Sequence, residues 1–192
     1  EPAWQREWHQ RNQISVGLAN IEGLSDSDLV MISDVDEIPD VTVLEQIKHI
    51  NKHKQNQLLL VGFEQTFYYY SFNFVHTHLW CYARLTQYRV LKHITPQKLR
   101  THTKPKRMIN CGWHFSYFSD AEGIKEKIMN FAHQELNKEQ FTNADHLKQC
   151  IETGTDLFNR PANKMLRVKV GTLPLPKNWR MLTAATLKEK VD

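Results

Sequence analysis

Between Trp4 and Ala19 the chain holds no proline, and Trp8, Ile14 and Leu18 recur among Gln5, Arg6, Gln10 and Arg11, the spacing of an amphipathic helix. Gly23 and Ser25 end it. Leu29-Val30-Met31-Ile32 is then a short, continuous apolar run, the pattern of a buried parallel strand, and it runs directly into Ser33-Asp34-Val35-Asp36-Glu37-Ile38-Pro39. Beyond Pro39, a helix-start signal, and Asp40, the residues Val43, Leu44, Ile47 and Ile50 return at helical spacing. Lys48, Lys52 and Lys54 stand toward the end, where cations suit the helix dipole.

Leu58 to Phe63 predicts the next strand, and the β-prone runs Thr66 to Phe74 and Trp80 to Val90 predict two more, as antiparallel neighbours. The basic, proline-punctuated stretch from Lys92 to Arg107 reads as a solvated loop, with steering of an anionic ligand as a secondary use. Cys111 to Phe118 alternates large apolar with small or polar residues as a strand does. Ser119-x-x-Glu122 follows as a capping box, with Ile124, Ile128 and Phe131 continuing a helix. A second capping box, Thr142-x-x-Asp145, opens a helix through Leu147 and Ile151 that ends at Gly154. From Pro161 the pattern weakens, and the last residues are expected to form a loosely attached helix. Alternating strands and helices with no internal repeat or linker predict an α/β fold.

Length and composition narrow the class. With 192 residues, 41% of them hydrophobic and 24% charged, the chain has the make-up of an ordinary folded domain, which sets aside disorder, collagen and coiled coil. A formal charge of +4 does not indicate a nucleic-acid binder. No apolar run approaches the roughly 20 residues that span a bilayer, so no transmembrane segment is predicted. Cys81, Cys111 and Cys150 are odd in number and widely spaced, which favours buried thiols over disulfides or a zinc ribbon. Those thiols and the absence of any Asn-x-Ser/Thr sequon lean toward a reducing compartment.

The junction after Ile32 carries the chemistry. In an extended chain Asp34 and Asp36 project to the same side, with Val35 turned into the core. Two carboxylates completed by water and phosphate oxygens are the shell preferred by Mg²⁺ or Mn²⁺. The carboxyl end of a strand is also where ligands bind in open α/β sheets. An Asp-x-Asp alone equally suits a helix N-cap, and Glu37 suits either support of a metal ligand or a salt bridge to a helix.

Three segments in this order, Gln10-Arg11-Asn12, Asp34-Val35-Asp36-Glu37-Ile38-Pro39 and Gly112-Trp113-His114-Phe115-Ser116, followed by Glu122-Gly123, resemble glycosyltransferase family 17. The resemblance runs from the first helix to about Phe158. It implies a GT-A-like nucleotide-sugar transferase fold, with a catalytic region over residues 1–160 and a C-terminal extension over 161–192. It further implies inverting, metal-dependent transfer of N-acetylglucosamine from UDP-N-acetylglucosamine to a glycan acceptor of the β-1,4-mannosyl-glycoprotein type, and a Golgi membrane setting if the parent is a eukaryotic member. So little chain precedes Leu29 that part of the N-terminal nucleotide-binding half is expected to be missing, in keeping with a start at Glu1.

By the same resemblance Asp34 and Asp36 hold Mn²⁺ or Mg²⁺ and the diphosphate. His114 serves as a third metal ligand, as a diphosphate donor, or as a structural histidine facing away from Trp113 and Phe115. Arg11 and Trp113 belong with the donor. The general base is Glu122 or Glu135, with Glu64 a third candidate; Trp80, Tyr82 and Tyr68-Tyr69-Tyr70 are either stacking surfaces for sugar rings or core. His76 and His78 lack a third ligand and read as structural. Two other classes compete: a haloacid-dehalogenase-like phosphohydrolase, disfavoured by Ile38-Pro39 where that motif has Thr or Val, and a non-catalytic carbohydrate-binding domain on a transferase scaffold.

Overall fold

The computed structural model describes residues 2–50, 60–101 and 103–181. In chain order the elements are α1 (Pro2–Ala19), β1 (Leu29–Ile32), β2 (Glu37–Pro39), α2 (Val41–Lys48), β3 (Leu60–Phe63), β4 (Thr66–Tyr69), β5 (Ser71–His76) and β6 (Arg84–Gln87). Then follow α3 (Tyr88–Leu91), α4 (Pro96–Thr101), β7 (Lys106–Met108), β8 (Gly112–Ser116), α5 (Ala121–Asn130), a 3-10 turn (Gln134–Leu136), α6 (Glu139–Thr142), α7 (Ala144–Thr153) and β9 (Met165–Arg167). The protein is α/β, with two mixed sheets. Lys52, Lys54, Leu58, Leu59 and the expected C-terminal helix lie outside the described residues. Among the described residues no helix is long and apolar enough to cross a membrane.

The chain forms two compact units that interleave in sequence, Glu1–Gln65 with Trp80–Gly112 and Thr66–Leu79 with Trp113–Asp192. Because each unit takes two separate stretches, no linker marks the division.

In the first unit the strands run in the order β1-β6-β3-β7. β6 is antiparallel to both β1 and β3, and β3 is parallel to β7. The expected parallel strand at Leu29–Ile32 is therefore an antiparallel edge strand. Its continuous apolar run has another cause, which is that both faces are covered. Leu29 and Met31 pack with Ile47, Val61, Phe63 and Leu85. Val30 and Ile32, on the opposite face, pack with Leu91, Leu99 and the α1 residues Ile14 and Leu18. Trp8, predicted on the apolar face of α1, is instead exposed. Asp40 caps α2 by accepting from Thr42 N at 2.8 Å, so Pro39 belongs to β2 and does not open the helix.

In the second unit β8, β4, β5 and β9 lie side by side, β4 parallel to β8 and β5 antiparallel to β4 and β9. The Thr66 to Phe74 run is thus two strands, reversed at Tyr70 with a left-handed φ of 63°. The Trp80 to Val90 run is not a strand paired with it: Trp80 forms an isolated bridge to Gln65, β6 pairs with β1 and β3, and Tyr88 begins a helix. Tyr68, Phe72, Trp113 and Phe115 form an aromatic core, and burial pushes the Tyr68 hydroxyl pKa up to about 12. Both expected capping boxes shift by one residue. Asp120 caps α5 by accepting from Gly123 N at 2.9 Å, and Asn143 caps α7 through Asp145 N and His146 N. Gly154 ends α7 in the left-handed conformation, as predicted. Cys111 and Cys150 are buried free thiols, and Cys81 is a free thiol that is partly exposed.

Candidate active site at the Asp34–Asp36 turn

The segment after β1 is a β-turn, not an extension of the strand. Asp34 O accepts from Glu37 N at 3.0 Å, and Asp34 N donates to Glu37 Oε2 at 2.9 Å, so Glu37 closes the turn through both backbone and side chain. Val35, expected in the core, is 96% exposed at the turn's corner. Asp34 and Asp36 therefore occupy the first and third positions of a tight turn, and that geometry, not strand alternation, fixes the spacing of their carboxylates.

Glu37 is wholly buried, and four bonds meet its carboxylate. Oε1 accepts from Trp80 Nε1 at 2.5 Å and Arg100 Nη2 at 2.5 Å; Oε2 accepts from Arg100 Nη1 at 2.8 Å and from Asp34 N. Four bonds fill the lone-pair positions of a carboxylate, so the buried charge is fully compensated. Arg100 Nη2 reaches on to Asp34 Oδ2 at 2.6 Å, and Nη1 also donates to the Tyr82 carbonyl at 3.1 Å. Burial alone would lower the pKa of this guanidinium, but the bonds and charge of Glu37, with Asp34 and Asp36 behind them, hold it above its ordinary value. Of the two readings of Glu37, the structure shows the salt bridge to a helix.

Arg11 approaches from α1. Its Nη2 donates to Asp34 Oδ1 at 3.2 Å and to Glu7 Oε1 at 3.0 Å, and its Nη1 donates to the Gln97 side chain. The next residue, Asn12, accepts from Gln97 N at 3.1 Å. Both oxygens of Asp34 are thereby bonded to guanidiniums, and two of the three sequence segments meet on α4.

Gly112, from the third segment, also lies beside the turn's exit. Its φ is +133°, and a Cβ there would stand 2.1 Å from Ile38 O and 2.8 Å from Asp40 N, while Asp40 N donates to Cys111 O at 2.9 Å. Only glycine allows that approach.

Trp113, His114, Glu122 and Glu135, singled out in the sequence, lie in the second unit. Trp113 donates its indole N–H to Pro174 O at 2.7 Å within the aromatic core. His114 is buried with its ring 4.7 Å from that of Phe67; every residue of β8 is buried, so this histidine does not face outward. Glu122 is exposed in the first turn of α5. Glu135 is exposed and bonded to His133 at 2.7 Å, which holds its pKa below the usual carboxylate value. Glu64, in the first unit, pairs with Arg107 at 3.0 Å.

The residue missed in the sequence is Arg100. The basic stretch assigned to a solvated loop contains α4 and β7, and Arg100 is 4% exposed. A local signal for α4 was present: Thr95 Oγ1 accepts from Lys98 N at 3.3 Å, and Pro96 takes the first helical position.

Among the described residues no group of three or more His, Cys, Asp and Glu side chains is placed to hold a metal ion. The donor set fits a divalent ion in another form. Mg²⁺ and Mn²⁺ sites commonly take one or two protein carboxylates and complete the shell with water and substrate phosphate oxygens. Asp34 and Asp36, two residues apart in one turn, are two such carboxylates.

The family model for glycosyltransferase family 17 matches residues 1–167. No curated protein and no solved structure matches the chain.

Proposed function

The chain belongs to glycosyltransferase family 17, and on that premise we propose that it is a GT-A-type, metal-dependent transferase. It moves N-acetylglucosamine from UDP-N-acetylglucosamine, with inversion, to a glycan acceptor of the β-1,4-mannosyl-glycoprotein type. The observation that supports this reading is the acidic turn at the carboxyl end of β1, held in place by the buried Glu37–Arg100 pair.

In this reading Asp36 and Asp34 receive the cation and donor diphosphate, and Arg11, already at Asp34 Oδ1, offers a guanidinium to the phosphates. Mn²⁺ or Mg²⁺, when bound, supplies charge neutralisation for the departing UDP. The acceptor hydroxyl forms its bond to the anomeric carbon as the bond from that carbon to the phosphate oxygen breaks. A carboxylate takes the hydroxyl proton. The candidates for that base are Glu122 and Glu135. Trp113 and His114, buried in their sheet, enter as supports of the fold. The phosphohydrolase alternative is disfavoured by Ile38-Pro39, where that motif has Thr or Val. The test is release of UDP from UDP-N-acetylglucosamine with Mn²⁺ and a mannose-core glycan. Release that requires both supports the reading, and no release, or phosphate release from a monoester, contradicts it.

A further inference from the structure

We propose that Trp80 and Tyr82 form a stacking surface for a hexopyranose ring beside the Asp34–Asp36 turn. The inference rests on the transferase reading and deepens it by giving the sugar a place.

Two facts set this pair apart from core aromatics and from incidental surface tyrosines. Tyr82 is 43% exposed, yet its ring is held from several sides. The Trp80 ring lies 4.7 Å away, and the Arg100 and Arg84 guanidiniums lie 5.7 and 6.0 Å from the Tyr82 ring centre. Its carbonyl is bonded to Arg100. Trp80 is fixed in turn by two backbone bonds to Gln65, at 2.8 and 3.0 Å, and by its indole bond to Glu37. An exposed aromatic surface already held in one orientation loses little freedom when a ligand covers it.

A pyranose presents one face of C–H groups and a rim of hydroxyls. Aromatic rings cover the first, and nearby charged groups hydrogen-bond the second. Location favours a hexose over the nucleotide base. The Arg100 guanidinium lies over the Tyr82 ring and also bonds Asp34, so a single side chain spans the distance from the ring to the acidic turn. In a nucleotide sugar the hexose is bonded directly to the diphosphate, whereas the base is set off by the ribose. The donor hexose and the acceptor hexose meet at the anomeric carbon, so either one presents the same chemistry to this surface.

The experiment is calorimetric titration, with Mn²⁺ present, of UDP, UDP-N-acetylglucosamine and a mannose-containing oligosaccharide into the wild type, Tyr82→Ala and Tyr82→Phe. The expected result is that Tyr82→Ala weakens at least one sugar-bearing probe about tenfold more than it weakens UDP, while Tyr82→Phe retains most of that affinity. Loss confined to UDP-N-acetylglucosamine places the donor hexose there, and loss confined to the oligosaccharide places the acceptor. Equal weakening of UDP, unchanged sugar binding in Tyr82→Ala, or equal losses in both variants overturns the inference. A wild type that binds oligosaccharide through Tyr82 but not UDP upholds the surface and contradicts the transferase reading. Binding of no probe contradicts both.

Discussion

Arg100 grips Glu37 through both terminal nitrogens, Nη1 to Oε2 at 2.8 Å and Nη2 to Oε1 at 2.5 Å, with both side chains almost wholly buried. The same Nη2 bonds Asp34 Oδ2, so the buried pair also sets the carboxylate on the site side of the turn. A lysine in place of Arg100 would keep the charge without the planar fork that makes these contacts together.

Removing one partner leaves a buried, uncompensated charge. Glu37→Gln or Arg100→Met is expected to lower stability by about 3–5 kcal/mol in urea unfolding. Replacing both, Glu37→Gln with Arg100→Met, is expected to cost less than the sum of the two. Metal-dependent UDP binding stays impaired in the double variant, because Asp34 has lost its clamp. Additive losses in stability would show that the pair is not coupled.

Acid stability is expected to depend on Asp156 in the second unit. Burial would raise the pKa of this carboxyl, but bonds from Arg160, Asn163 and backbone N–H groups outweigh it and hold the value below 3.8. A carboxyl depressed in the folded state contributes stability that is fully present above its unfolded pKa and is lost as pH falls through the folded value. Wild-type stability is therefore expected to decline on acidification below about pH 4. Asp156→Asn is expected to be less stable at pH 7 by roughly 1–2 kcal/mol, since the Arg160 left behind is nearly half exposed, and to show a shallower acid decline. Parallel pH profiles for the two proteins would refute the assignment.

The parts of the fold set by local pattern were legible in the sequence: α1, the position of β1, the glycine stop of α7 and the buried thiols at Cys111 and Cys150. Strand direction was not, because the Leu29–Ile32 run reports two covered faces and both parallel and antiparallel strands can have them. The same limit applied to His114, since alternation gives the side a residue points to and not whether that side is covered. At Ser119-Asp120 and Thr142-Asn143 two adjacent side chains can each cap, and tertiary structure chose the second. The acidic residues of the turn stood out in the sequence, but their clamp did not. Arg100 is one cation in a basic stretch, and its burial depends on Glu37, 63 residues earlier in the chain.

The central claim is that the Asp34–Asp36 turn binds a nucleotide diphosphate through a divalent ion. The most direct measurement is calorimetric titration of UDP into the protein with and without Mn²⁺, repeated on Asp36→Ala with its melting temperature as a folding control. Wild-type binding is expected to require Mn²⁺ and to disappear in a folded Asp36→Ala variant. Absence of binding in the wild type, or metal-independent binding that survives the substitution, would contradict the claim.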